Sequence, residues 1–145
     1  MQISMRADYG LRAMIDLAQR AGHGPVLSAQ IAARQQISEA YLDQLLTALR
    51  KAGLVRSVRG PSGGHTLAKA AEEITLTEII GALEGTKSFV SCMINEETCQ
   101  LGKNCAILHI WRQMEEASLA VLRATTLAQL AARQSLRQDA GMYYI

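Results

Sequence analysis

The stretch "ISEAYLDQLLTALRKAGLVRSVRGPSGGHTLAK", residues 37 to 69, changes period halfway along, and that change decides the fold. Up to Lys51 it repeats as a helix. Leu42, Leu45, Leu46 and Leu49 share one face, Ser38 stands where an N-cap belongs, and Gly53 marks the stop. From Leu54 the pattern alternates as a strand. "LVRSVRG" over 54–60 can pair with "HTLA" over 65–68 across the turn "GPSGG". Those glycines are not a nucleotide loop, because the Walker pattern needs Gly-Lys-Ser/Thr and here His65 follows Gly64.

Upstream, Leu11, Met14, Ile15, Ala18 and Ala21 fall at helical spacing, which predicts a helix over 5–21 ended by Gly22 and Gly24-Pro25. Ser28 reads as the N-cap of a short helix over 29–35, with a tight break at Gln36-Ile37. Two short helices, a brief turn and a basic hairpin describe a winged helix. Downstream, Thr75 and Glu78 form a capping box opening a helix over 76–84, which Gly85 closes. From about residue 103 a long helix carries Ile107, Ile110, Met114, Ala117 and Val121 at heptad-like spacing. That stripe exceeds what a small domain needs and calls for a partner helix. Thr126 and Gln129 form a second capping box, which places a break near residue 125.

The fold class read from this order is mainly α: a winged helix-turn-helix with a small two-stranded β-wing and a long C-terminal dimerisation helix. The expected organisation is a DNA-binding domain over 1–85, a cysteine loop over 86–104, dimerisation helices over 105–132 and a tail over 133–145.

Composition agrees with that class. Of 145 residues 49% are hydrophobic and only 4% aromatic, so the apolar surface is mostly aliphatic and favours helices. No run approaches eighteen apolar residues, and "MQISMRADYG" lacks the apolar region of a signal peptide. Clustered cysteines without an export signal point to a reducing cytoplasm. Net charge is +2, but unevenly spread: residues 1–69 hold nine Lys and Arg against four acids, residues 70–145 six against nine. Such polarity suits a nucleic-acid-binding front and a separate sensing or pairing back.

In a helix-turn-helix the start of the second helix lies nearest the base edges. Here that start offers Ser38, Glu39, Tyr41, Asp43 and Gln44. Gln44 can pair with adenine, and Asp43 or Glu39 can accept from the cytosine amine. Ser38 also has a structural role as a cap, and Tyr41 could equally be core. Ser28, at the start of the first helix, joins the phosphate-facing set. Arg50, Lys51, Arg56 and Arg59 are the cationic contacts, and Gly60 and Ser62 bring the wing tip close to a narrow groove that attracts arginine.

All three cysteines lie in "SCMINEETCQLGKNC", residues 91 to 105, spaced C-x6-C-x5-C. An odd count prevents complete internal pairing as disulfides. Thiolates ligate iron–sulfur clusters, and three of them with one other ligand form a known variant. Zinc prefers tighter knuckles, and a redox pair usually has C-x-x-C. Spacing alone leaves cluster, zinc and free thiols open.

The quoted winged-helix stretch, "EITLTEIIGALEG" and the three-cysteine loop ahead of "LHIWRQM" together resemble the Rrf-two family of bacterial transcription regulators over roughly residues 1 to 132. The stretch "GLVRSVRGPSGG" is very specific; the cysteines are less so, since some members lack them. The resemblance implies a homodimer on a palindromic double-stranded operator, with Cys92, Cys99 and Cys105 holding an iron–sulfur cluster. His65 departs from the family's usual tyrosine, though either side chain can reach a phosphate. Members with a histidine ligand place it three residues after the last cysteine, which here is Leu108. His109, one residue on, points about 100° away on a regular helix. Nitric-oxide-responsive members instead use an aspartate early in the first helix, and Asp8 stands at that position. Asp8 can also simply favour the first turn of its helix, where negative charge is stabilised. With Asp8 as ligand the cluster is of the 4Fe–4S type, 2Fe–2S being the alternative.

The function expected is a cytoplasmic repressor with no membrane contact, sensing nitric oxide, iron supply or redox stress. Its rivals are a cluster-free regulator answering a metabolite or partner protein, and a small metal- or thiol-dependent enzyme. No catalytic constellation supports the last: His23, His65 and His109 are scattered.

Overall fold

The computed structural model describes residues 3–85, 101 and 104–142. Helix α1 runs Met5–Gln19 and starts at Ser4, whose hydroxyl accepts from Ala7 N at 3.2 Å. Helix α2, Ser28–Gln35, ends on the left-handed Gln36 (φ 54°). Helix α3, Glu39–Lys51, is capped by Ser38, whose Oγ accepts from Tyr41 N at 3.3 Å. Strands β1 (Val55–Val58) and β2 (Gly64–Leu67) pair antiparallel, Val55 opposite Leu67 and Ser57 opposite His65. A 3-10 turn over Ala71–Glu73 leads to α4, Leu76–Glu84, which has both bonds of the capping box between Thr75 and Glu78. Helices α5 (Ala106–Ala124) and α6 (Leu127–Met142) complete the described chain. The architecture is mainly helical with one two-stranded sheet, as the periodicity predicts.

The core sits where α1, α2, α3 and α4 meet. Met14, Ile31, Leu42, Leu45, Leu49, Ile74 and Ile79 are all fully buried. Each such side chain stabilises the fold by about 1.5–3 kcal/mol. The wing is tied to this block on its inner side. Val26 and His65 exchange backbone hydrogen bonds of 2.9 and 2.8 Å, so β2 has a neighbour on its far side from β1. That approach is close enough that a Cβ on Gly64 would lie 2.6 Å from the Val26 carbonyl carbon, and its φ of +148° also favours glycine. The back half joins through a second bridge, Thr75 to Thr126. Leu127 N donates to Ile74 O at 2.8 Å and Leu76 N to Thr125 O at 3.1 Å.

Four boundaries differ from the sequence reading. Helix α1 stops at Gln19 rather than residue 21, with Arg20 as C-cap and Gly22 at positive φ. Strand β1 is shorter than 54–60, because Leu54 turns into the core and Arg59 and Gly60 belong to the turn. Helix α5 begins at Ala106, not 103, with Cys105 at its N-cap. Ser28 is not the cap of α2 but its first residue. Leu27 holds the cap position without a side-chain bond, and the Ser28 hydroxyl donates to Glu39 Oε1 at 3.3 Å. The Val26–His65 bridge sets where the chain enters this helix, one residue early for a serine cap.

The second capping box is present: Gln129 N donates to Thr126 Oγ1 and Thr126 N to Gln129 Oε1. The helix it opens continues to Met142, through the segment read as tail. Its Leu127 and Ala131 are buried, and Gln19 of α1 donates to Ser135 Oγ at 3.0 Å and Gln138 Oε1 at 3.1 Å.

Candidate nucleic-acid interface and cysteine segment

The second helix of the helix-turn-helix turns its leucines inward, and this leaves its polar start outside. Ser38, Glu39, Asp43 and Gln44 are exposed, as are Arg50 and Lys51 in the last turn. Acids at the helix start and cations at its end both complement the helix dipole. Arg56, Arg59, Gly60 and Ser62 are exposed along the wing. Among the described residues no acidic side chain pairs with Lys51, Arg56 or Arg59. These are cations held on a surface with no neutralising partner, the arrangement a phosphate backbone suits.

Three members of the expected set are engaged elsewhere. Tyr41 is half-buried against the core, its ring edge-on to Tyr9 at 6.1 Å, with the Arg12 guanidinium 5.2 Å from the Tyr9 ring centre. Ser28 meets Glu39, which links the first turns of both helices. Arg50 Nη1 donates to Ser57 Oγ at 3.5 Å. His65, read as able to reach a phosphate, is half-buried with Nδ1 3.3 Å from the same Ser57 oxygen. Burial pushes the His65 pKa below its ordinary value; Asp43 opposes the shift and Arg50 adds to it.

What the sequence reading missed lies beneath this surface. Asp16 is almost wholly buried in α1 and receives a two-pronged bond from Arg34 of α2, Nε at 2.9 Å and Nη2 at 2.7 Å. Gln35 Nε2 adds 3.1 Å to Asp16 Oδ2, and Arg20 lies 3.2 Å from Oδ1. The carboxylate raises the Arg34 pKa further. Arg12 also donates to the Gln35 carbonyl. This network ties α1 to the end of α2, the first helix of the helix-turn-helix. Its one signal in the sequence was an acid inside the apolar run "AMIDLA".

Of the proposed cluster ligands, Cys92 and Cys99 lie outside the described residues. Cys105 is half-buried and free, and sits at the N-cap of the 19-residue α5 without a capping hydrogen bond. Its sulfur is the donor type that iron–sulfur clusters take, so the chemistry at this position fits. Leu108, which has no donor atom to offer a metal, is buried at 4% exposure. His109 is exposed, its Nε2 3.2 Å from Gln113 Nε2. Asp8 is exposed in the first turn of α1 and lies 3.8 Å from Arg12. Among the described residues no group of three ligating side chains forms.

The opposite ends of α5 share one property. Ile107, Ile110, Met114 and Val121 are between 46% and 65% exposed, so the whole heptad stripe faces away from this chain's core. No described helix is long and apolar enough to cross a membrane.

The comparisons with known proteins agree with this geometry. Residues 3–133 match the family model Rrf2, described as an iron-dependent transcriptional regulator. The chain is 40% identical over 145 residues, the full length of both, to the HTH-type transcriptional regulator CymR of Bacillus subtilis. The structure of that protein, titled the global cysteine regulator, superposes with a TM-score of 0.78 at 39% identity, covering 92% of this chain and 98% of the other. The IscR structure from T. potens superposes with a TM-score of 0.74 at 36% identity, covering 100% and 92%.

Proposed function

Since this chain belongs to the Rrf2 family of DNA-binding transcription regulators, we propose that two copies of it bind a palindromic operator as a repressor and sense iron, nitric oxide or redox state through an iron–sulfur cluster. The observation that carries the DNA-binding part is the run of exposed groups from Ser38 to Ser62 above a closed core, with Lys51, Arg56 and Arg59 unpaired by acids among the described residues. Glu39, Asp43 and Gln44 read base edges, while the cations and Ser62 hold phosphates and the groove.

Cys92, Cys99 and Cys105 would hold the cluster, with Asp8 as fourth ligand. When bound, such a group supplies a centre reactive towards oxidants and nitric oxide. The chain's own part is to connect that place to the reading heads. Cys105 opens α5, whose apolar stripe pairs with the second copy. Asp8 lies in the first turn of α1, which carries the buried Asp16–Arg34 bond to α2. Rearrangement at either helix start therefore biases the spacing of two recognition helices, a shift between populations rather than a new fold.

A cluster-free regulator is the second reading, favoured by full-length identity to a protein named for cysteine regulation. Anaerobic purification separates the two: a brown protein with stoichiometric iron and sulfide supports the cluster, a colourless one the alternative. Asp8→Ala should still assemble a cluster on three thiolates yet change its visible spectrum and its titration with nitric oxide. Identical spectra and titrations in variant and wild type would remove Asp8 from the ligand set.

A further inference from the structure

The hairpin side of the interface holds a short polar chain that neither the base-reading nor the phosphate-binding roles absorb. Ser57 of β1 and His65 of β2 are direct cross-strand partners, and Ser57 Oγ lies 3.3 Å from His65 Nδ1. The same oxygen accepts from Arg50 Nη1, at the C-terminal turn of α3, at 3.5 Å. With one lone pair taken by Arg50, Ser57 Oγ is free to send its proton to Nδ1 when the imidazole is neutral and that nitrogen is bare. In that form one hydroxyl is donor to the wing and acceptor from the recognition helix.

We propose that His65 is a positioning residue for DNA recognition: acting through Ser57, its neutral ring holds the Arg50 guanidinium and fixes the wing relative to the recognition helix. The backbone of His65 is already pinned to Val26, so its ring has a defined place from which to do this. Protonation makes Nδ1 a donor, so Ser57 Oγ then accepts from both neighbours and its own proton turns away from the ring. It also sets a second positive charge against Arg50.

The groups around the ring favour the neutral state. Burial is the main cause that depresses the pKa; from α3, Asp43 opposes it and Arg50 adds to it. Ser57 faces it from β1. On the inner side, Arg20 at the C-cap of α1 and Lys69 beyond β2 border the same cavity of about 370 Å³ as His65. Both cations there are matched by acids, Arg20 by Asp16 and Lys69 by Glu78. Because the folded pKa is lowered, the positioning persists through the ordinary imidazole range and is lost only as pH falls through the depressed folded value. Simple phosphate attraction to a titrating histidine has the opposite sign, since it strengthens binding in acid.

The inference rests on the interface assignment, so the test carries an arm for each. The probe is a labelled duplex selected from a randomised pool by the wild-type full-length chain, titrated from about pH 7.5 down to about 5, through the ordinary imidazole range and below it. Wild-type affinity should fall by about threefold to tenfold across that range, a shift of up to one decade per unit of pKa. His65→Gln, always neutral, should bind more weakly at pH 7.5 and show a flat profile. Ser57→Ala should also flatten it and lower the salt slope by about 0.9, one phosphate contact. The double variant should bind no worse than the weaker single, because both cut one chain. A His65→Gln profile that tracks wild type, or additive losses in the double variant, overturns the proposal. Thermal unfolding of each variant is read beside binding: weakening that follows lost stability alone, with the wild-type pH profile retained, also overturns it. Arg59→Ala should weaken binding and keep the wild-type profile; an unchanged affinity there would instead break the assignment of the wing.

Discussion

Helix α3 and helix α5 carry similar apolar stripes and meet opposite fates. In α3, Leu42, Leu45, Leu46 and Leu49 are buried to within 2%. In α5, Ile110, Met114 and Val121 remain about half exposed or more, and Leu108 is the buried exception. The front of the molecule closes a core that Leu127 completes, and its outer surface is mostly polar, with Ile3, Met5, Leu27 and Val58 as scattered exposed apolar groups. The back presents an apolar seam that nothing among the described residues covers. A stripe of that length is a surface for association. The contrast teaches that stability and assembly are separated along the chain, so substitutions in the two halves should fail in different ways.

The strongest way to break the contrast is Val121→Asp. A charge in a dry seam is strongly unfavourable. The variant should sediment as a monomer and lose about a hundredfold in affinity for a two-half-site duplex, roughly 3 kcal/mol. Its near-native circular dichroism would show that the front half does not need the seam. A fully dimeric Val121→Asp protein would mean that the stripe faces some other surface.

Next comes the opposite experiment, a front-half change that should spare assembly. Arg34→Ala removes the two-pronged partner of Asp16 and leaves that carboxylate buried with Arg20 and Gln35. Unfolding in urea should show a loss of about 2–3 kcal/mol, the low end for breaking a buried pair because two donors remain. Sedimentation of the folded fraction should be unchanged. A loss within a few tenths of a kcal/mol would show the network to be ornamental.

Arg59→Ala touches neither core nor seam. Operator affinity should fall by about threefold to tenfold, and the slope of log affinity against log salt by about 0.9. Stability and dimer content should match wild type. An unaltered salt series would remove the wing tip from the interface.

The smallest effect lies at the hinge between the halves. Lys69 Nζ is 2.6 Å from Glu78 Oε1, and Glu78 also closes the cap of α4. Lys69 first, then the Thr75 backbone N–H, lower the Glu78 pKa below its ordinary 4.5. With a folded pKa below the unfolded one, this stabilisation is present above about pH 4.5 and lost as pH falls through the folded value. Both side chains are more than a third exposed, so screening limits the charge contribution to about 0.5 kcal/mol. Glu78→Gln keeps a capping side chain but not the charge. It should reduce stability slightly at pH 7 and match wild type near pH 3, as chemical denaturation at the two pH values would show.

Much of this fold was legible because its signals are short-range. The Ser38 cap, the boxes at Thr75–Glu78 and Thr126–Gln129, the leucines of α3 and the glycine turn each act within four residues or so. Local propensity and periodicity report such interactions directly. Exposure of the basic groups followed from the same periodicity, since a helix that buries its leucines must turn the intervening residues outward. The Ser28 cap failed for a reason the local rule does not contain: Val26 is held by His65, thirty-nine positions away.

By itself, then, the sequence determined the element order, the winged helix-turn-helix and the two apolar stripes, since each is written in neighbours three or four residues apart. Tertiary structure alone decided which partners those elements found. Asp16 meets Arg34, Gln19 meets Ser135, and Arg50, Ser57 and His65 meet across three elements. A hydrogen bond depends on distance and angle in space, and residues so far apart in the chain acquire both only once the helices have packed.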